Sequence, residues 1–383
     1  MENKKYLKEQ IITYLGNKRS LISYIEKEIV IIQRKMKQKQ TVNVDLFSGS
    51  GIVARVLKKY SSHLITNDLE RYSEILNKCY LLNASELDWD KYDEYKEKID
   101  KVIENEEFIT GVITEGYAPK NDDSIKFGER TFYTNRNAKI IDTVRSKIED
   151  FEEPYKTMFL AQLLTEASVK NNTAGVFKGF YKDSKTGIGK FGGNGEYALK
   201  RIKGIIKIQK PILSNYETKV DVYRKDSNEL AKELKNLDIV YIDPPYNQHP
   251  YGSNYFMLNL IVNNKKPEEV SKVSGIPKNW NKSVYNVKNQ ARDEFDKLIS
   301  DLDAKYIIVS YNSEGFITHD EMKTLLEKYG DLEIKEIVYN TYRGSRNLSE
   351  RNLYVNEYLF ILKKGEMINV DPTWFLNEKI RTT

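Results

Sequence analysis

The chain has 383 residues, of which 40% are apolar and 31% are charged, a composition typical of a folded protein with room for two domains, one inserted in the other. Its 61 basic and 56 acidic residues leave a net charge of +5, which permits a polyanionic partner without requiring one. A single cysteine, Cys79, excludes an internal disulfide and argues against a cysteine-rich metal site, so we expect a reducing cytoplasm.

The N-terminal residues, Met1-Glu2-Asn3-Lys4-Lys5, are not followed by an apolar run of signal-peptide type. Nowhere in the chain do about 20 apolar residues follow one another, which is the length that a membrane-spanning helix needs. We therefore expect neither export nor a membrane span.

A glycine-centred loop, Tyr14-Leu15-Gly16-Asn17-Lys18-Arg19, precedes the first amphipathic pattern. Apolar residues at Leu21, Ile22, Ile25 and Ile29 predict a helix after this loop. Such a loop can bring Tyr14 and Lys18 over a ligand, or it can be an ordinary start of a helix. Taken by itself, the pattern favours the second interpretation.

The next segment reads as strand, glycine turn and helix: Thr41-Val42-Asn43-Val44-Asp45, then Leu46-Phe47-Ser48-Gly49-Ser50-Gly51, then Ile52 onward. This succession predicts the first crossover unit of a doubly wound sheet. The third glycine of the dinucleotide fingerprint is missing, and Asp45 would repel a diphosphate, so a cationic ligand fits better. A second strand, residues 63–67, ends at Asp68, where an acid that binds ribose is expected. An α/β unit without a nucleotide is the alternative.

Between about residues 70 and 198 the strand pattern disappears. Helical periodicity covers residues 92–107, 137–149 and 154–170. A long helical stretch inside an α/β pattern predicts an inserted subdomain.

The insertion ends in a glycine-rich segment, residues 175–195, in which glycines alternate with lysines and aromatic residues. Its lysines, Lys178, Lys182 and Lys190, predict a loop that follows DNA phosphates while its aromatic residues face bases. A flexible surface hairpin is the alternative interpretation.

The strand pattern resumes at residues 219–223 and is followed by Asp226, which is placed either to cap the next helix or to line a site at the strand end. A short apolar run, residues 237–242, then stops at Asp243-Pro244-Pro245-Tyr246. This pattern predicts a buried parallel strand that delivers a carboxylate to its C-terminal edge. Rigid carbonyl acceptors and one aromatic ring beside that carboxylate suit a planar heterocycle that carries an amino group. A simple turn is the alternative.

Three further strands are predicted at residues 306–311, 332–339 and 355–362. The last two are joined by a loop that carries Arg343, Arg346 and Arg351, so we expect an antiparallel hairpin at the end of the sheet and phosphate contacts from the arginines. The fold class is therefore α/β, a doubly wound and mostly parallel sheet with a largely helical insertion.

These motifs, in this order, resemble those of the amino-group DNA methyltransferases of the adenine-specific, Dam-like type, which use S-adenosylmethionine. The cofactor turn precedes the tetrapeptide and the insertion lies between them, as in the alpha group of that family. The stretch from Asp243 through Tyr251-Gly252-Ser253-Asn254 most resembles methyltransferases of type II and type IIS restriction-modification systems. One departure is Asn17, where Dam itself has a second glycine.

The resemblance implies a Rossmann-like methyltransferase domain, residues 1–69 and 199–383, with a target-recognition domain inserted at residues 70–198. It implies that Asp68 holds the ribose hydroxyls of the cofactor and that Asp226 holds its adenine. It places the following residues in the rest of the cofactor site: Tyr14, Lys18, Asp45, Phe47, Ser48, Gly49 and Gly51. Double-stranded DNA is the implied partner, and a restriction endonuclease acting on the same site is a candidate second partner.

The chemistry of the tetrapeptide agrees with this resemblance. An adenine must leave the duplex before its exocyclic amine can be reached, and that amine is a poor nucleophile because its lone pair is delocalised into the ring. Asp243 and the carbonyl of Pro244 would accept the two amine hydrogens and favour a localised lone pair, while Pro245 and Tyr246 shape the pocket. No metal is required, and we expect no metal site.

Two other functions fit part of the pattern. An amino methyltransferase acting on cytosine N4, an RNA base or a glutamine amide shares the tetrapeptide, but more often with a first residue other than Asp. A nicotinamide-dependent oxidoreductase shares the fold, but it is disfavoured because the third glycine is missing.

Overall fold

The computed structural model describes residues 2–193, 196–340 and 354–365. The strands are β1 (Thr41–Asp45), β2 (Ser61–Asn67), β3 (Lys219–Tyr223), β4 (Leu237–Ile242), β5 (Ala304–Asn312), β6 (Gly330–Asn340) and β7 (Tyr354–Lys364). They form one sheet in the order β3-β2-β1-β4-β5-β7-β6. The first five pair in parallel, and β7 is antiparallel to both β5 and β6. The predicted doubly wound sheet with an antiparallel hairpin is confirmed, and its last strand lies between β5 and β6.

The helices are α1 (Lys4–Lys8), α2 (Ile22–Lys35), α3 (Ile52–Lys58), α4 (Arg71–Tyr80), α5 (Trp89–Glu104), α6 (Val112–Tyr117), α7 (Asn135–Lys147), α8 (Tyr155–Val169), α9 (Glu196–Lys203), α10 (Ser227–Glu233), α11 (Tyr251–Asn254), α12 (Phe256–Asn263), α13 (Lys288–Asp301) and α14 (His319–Glu327). Among the described residues, no helix is long and apolar enough to cross a membrane.

Side chains alternate between the two faces of the sheet, and each face has its own core. Along β4, Val240 and Ile242 pack with α10, α13 and α14 on one face. Ile239 and Tyr241 pack with α2 and α3 on the other face. All four are at most 1% exposed, which explains why β4 reads as a continuous apolar run.

The third core belongs to the helices of the predicted insertion. It is built from α4 to α8 and is completed by residues of α12, such as Met257 and Ile261. Because α12 follows the tetrapeptide in the sequence, the layer of helices formed by α4 to α8 and α12 combines elements from before and after the tetrapeptide. The helical layer and the loop that carries the tetrapeptide are thereby packed as one unit.

Candidate active site

A cleft opens where the parallel strands end, which is the edge at which open α/β sheets bind ligands. Residues following β1, β2, β3 and β4 contribute to its wall, together with two loops of the C-terminal half. It is lined by Tyr14, Phe47, Asn67, Asp68, Leu69, Glu70, Lys225, Asp226, Ser227, Asp243, Pro245, Tyr251, Gly252, Asn281, Ser283 and Asn286. The predicted residues Tyr14, Phe47, Asp68, Asp226, Asp243 and Pro245 are therefore brought together by the fold.

Asp45, the last residue of β1, is 1% exposed. Among the residues that the structure describes, none makes a well-formed hydrogen bond to its carboxylate oxygens, although the backbone amide of Ala54 is near enough to lower its pKa. Burial raises the pKa of Asp45 well above its usual range, and the charge of Asp243 raises it further. A buried carboxylate without a partner is costly, and a ligand that carries a donor or a positive charge would offset that cost.

The turn after β1 is closed by backbone contacts to the end of β2. Ser48 donates to the carbonyl of Asn67 through both its amide, at 2.9 Å, and its hydroxyl, at 2.7 Å. Gly49 has a φ of +52°, and its amide donates to Asp68 Oδ2 at 2.8 Å. Gly51 has a φ of +76° and precedes α3. The two glycines allow this tight turn, because other residues rarely adopt such φ values.

Asp68 lies half-buried at the mouth of the turn. Its second oxygen, Oδ1, accepts from the amide of Glu70 at 2.8 Å. Burial raises the pKa of Asp68, while the amide donors of Glu70 and Gly49 lower it. Each carboxylate oxygen can accept a second hydrogen bond, so the group is oriented by the backbone and can still accept from a ligand in the cleft.

Asp226 has both of the roles that its position allows. Its side chain caps α10 by accepting from the amides of Asn228, at 2.9 Å, and Glu229, at 3.3 Å. It also lines the cleft on the side where Phe47 packs edge-on against Tyr285, with ring centroids 5.4 Å apart.

Tyr14 belongs to a group of stacked aromatic rings. Its ring lies 5.0 Å from those of both Tyr251 and Tyr255, with interplanar angles of 20°. The hydroxyl of Tyr72 donates to that of Tyr14 at 3.3 Å. The loop before α2 is therefore held against the loop after the tetrapeptide, and the Tyr14 ring forms one wall of the cleft.

Lys18, which was predicted in the cofactor site, contacts a residue that lines the cleft but is not itself among the lining residues given above. Its Nζ contacts Asp243 Oδ1 at 3.0 Å and Glu357 Oε1 at 2.8 Å, and the residue is 4% exposed. Burial lowers the pKa of Lys18, but the two carboxylates more than compensate and raise it well above its usual range. The ammonium group therefore lies behind the tetrapeptide, because the carboxylates of Asp243 and Glu357 attract it there.

The tetrapeptide forms the wall of the cleft next to β5. The pKa of Asp243 is raised to about 7. Burial is the main cause, the ammonium group of Lys18 opposes it, and the carboxylate of Glu357 adds to it. Pro244 is buried, and Tyr246 is half-buried with its ring 6.1 Å from that of Tyr311. The carbonyl of Tyr246 accepts from the amide of Phe316 at 3.0 Å. A carboxylate with a pKa near neutrality can accept a proton under physiological conditions.

Two acids at the site were missed by the sequence analysis. Glu357 lies on β7 and is 1% exposed; the signal was a single acid inside a mostly apolar strand. Glu70 is 3% exposed and accepts hydrogen bonds from the side-chain amides of Asn259 and Asn281. Burial raises its pKa to about 7. It lies two residues after the predicted Asp68, but nothing in the sequence indicated that it is buried.

The glycine-rich segment is fixed at its start. Phe177 is 1% exposed and its amide donates to the carbonyl of Asn254 at 2.7 Å, so this ring packs in the core and does not face bases as expected. Lys178 is exposed, and its Nζ lies 3.5 Å from Nδ1 of His249. His249 follows the tetrapeptide closely in the sequence. Lys182 lies over the ring of Phe180 and is exposed.

The remaining predicted DNA contacts are only partly covered by the structure. The carbonyl of Lys190 accepts from the side chain of Asn172 at 2.8 Å, which anchors the segment to the end of α8. Arg343, Arg346 and Arg351 lie outside the described residues.

Comparison with known proteins gives one family and a consistent set of relatives. The model of the D12 class N6 adenine-specific DNA methyltransferases matches residues 14–325. The type II methyltransferase M.NlaIII of Neisseria lactamica is 30% identical over 363 residues, which cover 92% of this chain and 99% of the relative. The type II methyltransferase M.CviAII of Paramecium bursaria Chlorella virus 1 is 31% identical over 357 residues, with 92% and 98% covered. The type II methyltransferase M.FokI of Planomicrobium okeanokoites is 29% identical over 368 residues, which cover 92% of this chain and 52% of the relative.

Proposed function

The chain belongs to the D12 class of N6 adenine-specific DNA methyltransferases, and from this membership we propose the role of each part of the cleft. The reaction moves a methyl group to the exocyclic amine of adenine in DNA. The relatives that match over their whole length are type II methyltransferases, and this chain is a modification enzyme of that kind.

We propose that the methyl donor is S-adenosylmethionine and that it binds in the cleft. Three observations support this proposal: the buried and unpartnered carboxylate of Asp45, the glycine turn, and the backbone-oriented carboxylate of Asp68. Asp45 suits a positively charged group, Asp68 suits ribose hydroxyls and Asp226 suits an adenine amine. When bound, the donor supplies a methyl group on a positively charged sulfur, which departs as a neutral thioether.

We assign Tyr14 and Phe47 to the aromatic and apolar walls of the cofactor site, with Ser48, Gly49 and Gly51 as its turn. Lys18 is not assigned to this wall, because its ammonium contacts the catalytic carboxylate instead.

The catalytic role of Asp243 follows from its position at the end of β4. Its carboxylate and the carbonyl of Pro244 accept the two hydrogens of the adenine amine, which directs the nitrogen lone pair toward the methyl group. As the nitrogen–carbon bond forms, the amine nitrogen becomes positively charged and releases one proton. Asp243 accepts that proton, and its pKa of about 7 suits this role. Pro245 keeps the backbone rigid, and the ring of Tyr246 covers the extruded base.

We assign DNA recognition to the helical insertion, residues 70–198. The exposed lysines Lys178 and Lys182, with Lys190, would contact phosphates near the cleft, and Arg343, Arg346 and Arg351 would extend that contact. A restriction endonuclease that cuts the same site would be the biological partner, and the reaction would take place in the cytoplasm.

The observation that carries the proposal is the Asp243 carboxylate, which lines the cleft beside two prolines with its pKa raised to about 7. The test is to incubate the protein with duplex DNA and S-adenosylmethionine carrying an isotopically labelled methyl group, and to digest the product to nucleosides. Mass spectrometry should find the label in N6-methyladenine. Label in N4-methylcytosine, or no label in DNA, would contradict the assignment. Asp243→Asn, which keeps the shape of the side chain and removes its charge, should abolish transfer.

A further inference from the structure

Glu357 lies outside residues 14–325, the part of the chain that the family model matches. We propose that Glu357 is a positioning residue for methyl transfer that acts through Lys18. It holds the ammonium group against one oxygen of Asp243, so that the other oxygen is left for the adenine amine. The inference rests on the proposed catalytic role of Asp243.

The geometry brings three charged groups together below the cleft. Lys18 Nζ lies 3.0 Å from Asp243 Oδ1 and 2.8 Å from Glu357 Oε1. The side chains of Lys18 and Glu357 are 5% and 1% exposed, whereas that of Asp243 is 19% exposed and lines the cleft. Lys18 therefore bridges a carboxylate that substrate can reach and one that it cannot.

Glu357 is itself oriented by the neighbouring strand. Ser310 Oγ donates to Glu357 Oε1 at 2.6 Å, and Asn312 Nδ2 donates to Glu357 Oε2 at 3.4 Å. In the register of β5 and β7, Asn312 is directly opposite Glu357. The acid thus has partners for both oxygens, on strands rather than on loops, which fixes its position.

Charge balance explains why a second carboxylate is needed. Before the reaction, the cluster holds one ammonium and two carboxylates, a net charge of −1. When Asp243 accepts the proton from the methylated amine, Lys18 and Glu357 remain as a neutral pair. Without Glu357, the same step would leave a buried ammonium with no opposite charge, which is strongly unfavourable. Glu357 therefore makes proton acceptance by Asp243 easier and keeps Lys18 charged throughout.

Other titratable groups face the cluster from the surrounding elements. They are Asp45 at the end of β1, Tyr241 on β4, Tyr246 in the tetrapeptide and Tyr251 at the start of α11. Since Lys18 lowers the pKa of Asp243 and Glu357 raises it, the two substitutions should move this pKa in opposite directions. Glu357→Gln should lower it, and Lys18→Met should raise it. A purely structural role of either residue predicts no such opposition.

The experiment measures kcat and KM against pH for the full-length protein with duplex DNA. For Glu357→Gln, we expect kcat at pH 7.5 to fall about 3- to 10-fold, because Asp243 becomes a weaker base. KM for S-adenosylmethionine should stay within about twofold, and the acidic limb of kcat/KM should move down by about one pH unit. For Lys18→Met, the acidic limb should move up. Glu357→Asp, which keeps the charge, should lie closer to wild type than Glu357→Gln.

Glu333→Gln on β6 is the matched control. Glu333 is exposed, and its partner in register, Ile361, is four residues along β7 from Glu357, or about 13 Å. At physiological salt this distance exceeds the screening length of about 8 Å, so the control should not shift the limb. Thermal unfolding and calorimetric cofactor binding establish that each variant is folded.

Three outcomes would overturn the inference: a wild-type rate for folded Glu357→Gln, limbs that shift in the same direction for the two variants, or an equal shift with Glu333→Gln. If Glu357→Gln does not fold, Ser310→Ala takes its place, since it removes the hydroxyl that donates to Glu357. It should lower kcat several-fold at constant KM, and an unchanged kcat would count against the inference. A failure of the proposed function is distinguishable, because the wild type would then form no N6-methyladenine at all.

Discussion

The ring of Tyr14 lies directly over Gly49. A Cβ atom at this glycine would come within 2.8 Å of Tyr14 Cε1 and within 2.9 Å of the phenol oxygen. The glycine turn and the loop before α2, which are far apart in sequence, are thus in contact over the cleft, and neither can change its shape without the other.

Gly49→Ala should therefore weaken cofactor binding by about tenfold or more, both because its φ of +52° is unfavourable for alanine and because Tyr14 must move. Calorimetric titration with S-adenosylmethionine gives the affinity. In the double variant with Tyr14→Ala, the loss of binding free energy should be smaller than the sum of the two single losses. The reason is that removing the Tyr14 ring also removes its clash with the new Cβ atom. Gly116→Ala is the control, because its Cβ would meet nothing within 4 Å. Strict additivity would argue against the contact.

Asp68→Ala should weaken S-adenosylmethionine by about tenfold or more, because a charged acceptor on ribose hydroxyls contributes about 1.5–3 kcal/mol. The same calorimetric titration measures it, and the affinity for duplex DNA serves as the control. Unchanged cofactor affinity would remove Asp68 from the site.

Asp226→Asn separates the two roles of that residue. Asparagine caps helices about as well as aspartate, so the thermal midpoint should stay near that of wild type. Cofactor affinity should nevertheless fall, because the charged acceptor facing the cleft is lost. Asp226→Ala should lose both properties, with a further stability cost of about 1 kcal/mol from the missing cap. If Asp226→Asn binds the cofactor as wild type does, Asp226 is only a cap.

The pH profile of the wild type should show an acidic limb near pH 7. Below that value Asp243, whose pKa burial raises to about 7, carries a proton and cannot accept from the adenine amine, so kcat/KM should fall about tenfold per pH unit. Above it the rate should reach a plateau. Glu70 has a pKa of about 7 as well, but Glu70→Gln should retain the limb because that acid is not assigned to the reacting amine. A limb that disappears in Glu70→Gln would identify Glu70 as the titrating group.

Tyr246→Phe should stay close to wild type, because the ring and not the hydroxyl covers the extruded adenine. Tyr246→Ala should lower kcat much more than it weakens duplex binding, since stacking on one base contributes about 1–3 kcal/mol while affinity depends mainly on phosphates. With 2-aminopurine at the target position, the alanine variant should leave the probe brighter than wild type does. Methylation by Tyr246→Ala at the wild-type rate would rule out the stacking role.

The elements that could be predicted from sequence are those whose signal is local. The succession of strands β1 to β5 along the chain, the glycine turn and the acids that end strands could be predicted. They follow from apolar runs, from the positions of glycine and proline, and from family motifs. Glu357 could not be placed, because its neighbours depend on which strands pair and in which register. Phe177 shows the opposite error: an aromatic residue among glycines and lysines suits a DNA contact, yet tertiary packing buries it. Lys18 was predicted at this edge of the sheet, but its contacts with Asp243 and Glu357 could not be predicted, since a motif does not say which carboxylate attracts its ammonium.

The position of β7 between β5 and β6 has a consequence for how the enzyme becomes active during its synthesis. The cofactor turn and the tetrapeptide leave the ribosome well before Glu357, and domains begin to fold while the remainder is being translated. Until β7 is released and inserts between β5 and β6, the charge cluster at Asp243 lacks Glu357. A chain that ends before β7 would thus contain the cofactor turn and the tetrapeptide but lack Glu357, and by the role proposed for that acid it should methylate slowly.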